Sequence, residues 1–139
     1  MIKLTIILFL FLVQVSCLNR EKPDCLRFRD GTFRINAGNG NHRFIITRDR
    51  ENQTELDLET DTLSGSKVRW VSDCEYELIH VYKRPHFSDT TEKRAILPDS
   101  PVTPVLVKIV ATGEDFYIFE GRKDGIDFVF SDTMWVQKK

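Results

Sequence analysis

Residues 105–130 read VLVKIVATGEDFYIFEGRKDGIDFVF, and the punctuation of this stretch decides the fold. A run of strand character, Val105 to Ala111, meets the polar cluster Thr112-Gly113-Glu114-Asp115. A second run, Phe116 to Glu120, meets Arg122-Lys123-Asp124-Gly125, and a third extends from Ile126 to Phe130. Asp124-Gly125 is a strong hairpin signal, because glycine accepts the positive φ that such turns need. Turns this short force consecutive strands to lie antiparallel, so the natural topology is a meander.

The pattern extends outward in both directions. Toward the N-terminus, Gly31 to Ile35 reads as a first strand and Asn36 to Asn41 (NAGNGN) as a loop. His42 to Asp49 reads as a second strand, with Phe44 and Ile46 on one face, and Arg50 to Gln53 turns the chain. Thr54 to Thr60 alternates strictly, Leu56 and Leu58 on one side and Glu55, Asp57 and Glu59 on the other. That is the pattern of a strand buried on one side, and it predicts solvent-facing carboxylates. Ser64-Gly65-Ser66 is read as a turn before Lys67 to Val71, where Val68 and Trp70 share a face. Ser72-Asp73 connects to Cys74 to Tyr82, with Cys74, Tyr76 and Leu78 on one side. Pro85 to Pro104, with further prolines at 98 and 101, cannot hold a central strand, and Ser88 to Ala95 is compatible with a short helix. After Ser131-Asp132, a last strand Thr133 to Gln137 carries Trp135. No long stretch keeps a 3.6-residue apolar period.

The fold class expected is therefore all-β: an antiparallel meander of about eight strands, as a curled sheet or a small up-and-down, lipocalin-like barrel. An open sandwich is the second choice. Closure removes the exposed edges that would otherwise invite aggregation.

The N-terminus reads as a targeting segment. Lys3 precedes an apolar run, Leu4 to Val13, too short to span a bilayer comfortably and flanked like a signal peptide. Residues 1–17 are assigned to this signal and 18–139 to a single β domain of about 120 residues, enough for one core. Two processing routes stay open. Gln14-Val15-Ser16-Cys17 resembles a lipobox, with Cys17 as the lipidated residue and Gln14 in place of the usual leucine; ordinary cleavage after Cys17 is the other. A lipid would hold the domain at a bilayer, and simple cleavage would leave it free in the periplasm or medium. Either way Cys25 and Cys74 remain as a pair, and in an oxidising compartment a disulfide is the default, two separate buried thiols being the alternative.

Charge and chemistry exclude more than they assign. Without Lys3 the chain carries 19 basic and 21 acidic residues, a net charge of −2, which favours neither nucleic acid nor an anionic membrane. Residues 20 to 50 hold eight basic and four acidic side chains, and 51 to 61 hold five acidic and no basic ones. Antiparallel neighbours would set Arg43 and Arg48 near Glu55, Asp57 or Glu59. His42, His80 and His86 lack the spacing of a metal site. No C-x-x-C pair exists to tune a thiolate. Glu75, Glu77, Glu55, Asp57 and Glu59 fall on faces read as solvated, so no catalytic constellation, metal or cofactor is assigned. Asn36 to Asn41 opens no helix that would cradle phosphate, and Asn52-Gln53-Thr54 matches a glycosylation sequon that matters only in a eukaryotic host.

The aromatics are the remaining lead. Phe33, Phe44, Trp70, Tyr76, Phe116, Ile118, Phe128, Phe130 and Trp135 are the candidates to line an interior cavity, or else to fill it, since eight-stranded barrels do both.

Two blocks carry a family resemblance. Cys25-Leu26-Arg27-Phe28-Arg29-Asp30-Gly31-Thr32-Phe33, a cysteine spaced ahead of G-T-F, resembles the start of small exported proteins of Bacteroidetes. Trp70-Val71-Ser72-Asp73-Cys74-Glu75-Tyr76-Glu77-Leu78 is similar to their W-x-S-D-C-x-Y-x-L signature. The resemblance implies a signal-bearing β protein whose motif cysteines are Cys25 and Cys74, and it brings no activity. Members sometimes carry an automatic label of DNA topoisomerase IV, which does not suit an exported chain of this size without organised nucleotide and cleavage sites. The expected function is binding of a small apolar ligand or a protein partner in the envelope. A purely structural envelope module comes second, and a glycan hydrolase, motivated by carboxylate abundance alone, last.

Overall fold

The computed structural model describes residues 22–37, 40, 42–86 and 103–138. The segment 1–17 expected to be a signal, with its Cys17, and the helix expected at 88–95 lie outside the described residues. Eight strands run in chain order: β1 (Gly31–Ala37), β2 (His42–Arg48), β3 (Asn52–Asp57), β4 (Thr62–Trp70), β5 (Glu75–Pro85), β6 (Val105–Thr112), β7 (Phe116–Lys123) and β8 (Val129–Val136). Each pairs antiparallel with the next, and β8 returns to β1 to close a barrel. The closing seam is short, Phe33 opposite Val136 and Arg34 opposite Trp135, and the Gln137 N–H extends it by donating to the Thr32 carbonyl at 2.9 Å.

Three local readings are corrected. Ser64-Gly65-Ser66 is not a turn. It lies inside β4, at a shift of register between Gly65 and Ser66, and the Tyr82 ring of β5 packs over the bare Gly65 backbone. The chain turns earlier, between Asp57 and Thr62, where Asp61 takes φ 49°, a conformation short polar side chains tolerate. Ser131-Asp132 does not separate two strands, since β8 runs through it. The third correction is one of side. In β3 it is Gln53 and Glu55 that face inward, while Leu56 is half-buried on the outer wall and Leu58 is 42 % exposed. Leu56 stands in an outer apolar row with its register partners Ile45 and Leu63.

A meander puts alternate turns at opposite ends. The β2–β3, β4–β5 and β6–β7 turns form the base, and the chain enters there through one turn of 3-10 helix, Leu26–Phe28. This turn is tied down by the Cys25–Cys74 disulfide, with Cα atoms 5.2 Å apart. Phe28 plugs the base, its ring 5.1 Å from that of Tyr117 and 6.5 Å from that of Phe33. The β1–β2, β3–β4 and β7–β8 turns stand at the other end, toward which β5 also runs and from which β6 starts. The core is graded accordingly: Cys25, Phe28, Phe33, Tyr76, Ile109 and Tyr117 are buried toward the base.

Candidate functional site

The floor of the interior is polar. Arg48 ends β2 at the same parity as Phe44 and Ile46, so its side chain follows theirs inward, where it is only 2 % exposed. Its Nε donates to Gln53 Oε1 at 2.7 Å, Nη1 to the Phe28 carbonyl at 3.3 Å, and Nη2 to the hydroxyls of Tyr76 and Tyr117 at 2.7 and 2.9 Å. The guanidinium also lies over the faces of Tyr76 and Phe33, 4.5 and 5.4 Å from the ring centres. A buried cation is costly unless its donors are met, and here every neighbour accepts. Burial opposes the Arg48 charge, but the phenol oxygens of Tyr76 and Tyr117, with Glu55 beyond, outweigh it and hold the guanidinium above its ordinary value. Burial pushes the Tyr76 phenol well up despite Arg48, so it stays protonated. Tyr117 passes its own proton toward Met134 Sδ at 2.9 Å. Gln53, 1 % exposed, is the joint of the network: its Oε1 receives Arg48 and its Nε2 donates to Glu55 at 2.7 Å.

Above this floor the described residues leave the barrel open. A cavity of about 470 Å³ is walled by Ile35 and Ala37 of β1, Phe44 and Ile46 of β2, Leu78 of β5, Val105 and Val107 of β6, Phe119 of β7, and Phe130 and Met134 of β8. Gln53, Glu55, Tyr76, Ser131 and Asp132 supply its polar surface. Gly121 shapes one side. It faces Phe130 across the β7–β8 ladder, and a Cβ there would collide with that ring, so its absence lets Phe130 lie back against the wall. The ring meets Phe119 edge-on at 5.9 Å.

Of the nine residues singled out in the sequence, the structure brings Phe44, Tyr76 and Phe130 to the cavity. Phe33 and Trp70 pack lower, in the base, Trp70 against Tyr76 at 4.7 Å. Phe116, Ile118 and Trp135 face outward, with Phe116 on Trp135 at 5.0 Å, and Phe128 is 64 % exposed beside the opening. The error has a simple cause: in Phe116-Tyr117-Ile118-Phe119 both parities are apolar, and it is Tyr117 and Phe119 that point inward. The residues missed are Arg48, Gln53, Glu55 and Asp132. For Arg48 a signal existed in its parity with Phe44 and Ile46.

Other candidates fall into ordinary surface roles. Arg43 pairs with Glu59 at 2.8 Å, as expected, whereas Arg48 makes no direct ion pair and reaches Glu55 only through Gln53. Glu75 pairs with Lys108 at 3.2 Å and Glu77 with Arg69. His42 and His86 stand beside Asp57 and Asp61 at 3.7 and 3.3 Å. Among the described residues no group of three or more His, Cys, Asp or Glu side chains is arranged to hold a metal ion. Asn52 of the sequon spends its amide on Asp49 and Lys67. Comparison of the chain with protein-family models, with curated proteins and with solved structures returns no match.

Proposed function

We propose that this protein is an exported, non-enzymatic domain that takes a small apolar molecule into the open end of its barrel. The observation that carries the reading is the cavity of about 470 Å³ between Phe44, Leu78, Val105 and Phe130. It falls within the roughly 300–1,000 Å³ of small-molecule sites, and its mostly apolar wall with a few convergent polar groups is their usual make-up. The rigid floor supports it: a network tied from Phe28 to Gln53 fixes the depth to which a ligand descends. The Cys25–Cys74 bond agrees with an oxidising compartment. The periplasm or cell surface, and the kinship with small Bacteroidetes envelope proteins, belong to the same proposal.

The test is titration of the purified protein with an apolar dye whose fluorescence rises out of water. Wild type binds saturably, and Val105→Trp, which places an indole in the cavity, lowers affinity at least about tenfold while the melting temperature moves by only a few degrees. Equal binding by both proteins sinks the reading.

A protein partner is the second reading, favoured by one observation: Ile126, Phe128 and Val129 stand exposed together beside the opening. Loss of a defined envelope complex on Phe128→Ser, with dye binding intact, would favour it.

A further inference from the structure

We infer that the cavity selects apolar ligands carrying a cationic group, of which a primary alkylamine is the simplest, held by the carboxylates of Glu55 and Asp132. This rests on the binding reading above and gives it a chemical class. Among the described residues two carboxylates line the cavity, and no lysine, arginine or histidine does. The buried cation Arg48 belongs to the floor, with its donors engaged by Gln53, Phe28, Tyr76 and Tyr117. Glu55 offsets that charge through Gln53, so the two together leave the cavity nearly neutral.

Asp132 is the excess. It projects from β8 opposite Phe119, accepts the N–H of its neighbour Thr133 at 2.7 Å, and has no ion pair among the described residues. The basic groups elsewhere on the inner face do not change this. His42 stands beside Asp57; His80 and Lys83, which share the inner face of β5 opposite Ser66 and Ser64, and Lys123, at the inner parity of β7 opposite Val105, pair with neither cavity carboxylate. A carboxylate on an apolar wall loses hydration when a ligand displaces water, and that loss is recovered only if the ligand brings a donor or a positive charge. An alkylammonium does both. A fatty acid would bring a second negative charge into a low-dielectric space already holding one that has no counter-ion among the described residues.

Three ten-carbon probes separate the alternatives: n-decylamine, n-decanol and sodium decanoate, each below its micelle-forming concentration and competing with the bound dye. The amine should displace the dye at about one-tenth of the concentration the alcohol needs, and decanoate should need the most. Asp132→Asn should bring the amine to the level of the alcohol and leave the alcohol unchanged. Glu55→Gln should do so in part, and adding salt should shrink the preference. Decanoate matching or beating the amine overturns the inference, as does an Asp132→Asn protein with the amine preference intact. Binding of all three probes alike overturns it while leaving apolar binding standing. Failure of all three to bind overturns both.

Discussion

At the base of the barrel Phe28, Phe33, Tyr117 and Arg48 fill the interior from wall to wall, whereas at the opposite end Ile35, Leu78, Val105 and Phe130 stand around open space. The same alternating strands build both ends. The base differs in having an extra layer: the 3-10 turn inserts Phe28, and the disulfide holds the turn against the β4–β5 connection. The open end receives no such layer from the described residues, and Gly121 draws Phe130 aside. Stability is thus concentrated where the interior is full, and ligand-accessible surface where it is not. A domain divided in this way should lose stability through changes at one end and specificity through changes at the other.

The largest effect should come from Arg48→Met. It removes the donor shared by Gln53, Phe28, Tyr76 and Tyr117, leaving buried acceptors unmet at about 1–3 kcal/mol each. Urea unfolding should show a loss of about 5 kcal/mol, or no cooperative transition at all. A loss below about 1 kcal/mol would mean that the base is held by packing alone. Next comes the disulfide. Opening the Cys25–Cys74 link, which spans 49 positions, with a paired serine substitution should cost about 4 kcal/mol on the chain-entropy account, seen as a lower urea midpoint that reductant no longer shifts.

Changes at the open end should be smaller in stability and visible in binding. Gly121→Ala forces the Phe130 ring off the wall and into the cavity, at a cost of about 1 kcal/mol because only the ring has to move. Dye affinity should fall several-fold, and unchanged affinity would show that Phe130 does not bound the ligand.

The smallest effect belongs to Asp57, beside the β3–β4 turn. Burial works to raise its carboxyl, but the N–H groups of Glu59 and Thr60 and nearby His42 outweigh it and hold the group below its ordinary 3.8. A carboxyl lowered in the folded state stabilises above its unfolded value, and that contribution disappears as pH falls through the folded one. Asp57→Asn should therefore lower the urea midpoint slightly near neutrality, and the gap to wild type should close as pH falls below the ordinary 3.8 of the carboxyl. A gap that persists in acid would trace the effect to the lost turn geometry instead of the charge.

Much of the frame was legible in the residues. Asp124-Gly125 marks the β7–β8 connection, with Gly125 at φ 79°. The short turns demanded a meander, and Cys25 and Cys74, the expected pair once Cys17 is read as part of a signal segment, are joined. The interior was less legible. Thr54 to Thr60 shows clean alternation, yet its apolar side, Leu56 and Leu58, is the outer one. Leu56 finds cover there from Ile45 and Leu63, neighbours that exist only once β2, β3 and β4 are aligned. With that strand read the other way round, Gln53 and Glu55 passed for surface residues, and the polar floor and its carboxylate stayed hidden.

The order of residues determined the period of each strand, the positions of most turns, the all-β class and the sulfur pair, because these follow from local stereochemistry and from counting. Which side of each strand faces inward is a sign that no local rule supplies when both parities are apolar or when a polar side chain finds its partners across the barrel. Register along the ladders and closure of β8 on β1 set that sign. They sent Arg48 inward to two tyrosines far along the chain, turned Trp135 outward, and left a space above the floor whose walls come from six of the eight strands and the 53–55 edge of a seventh.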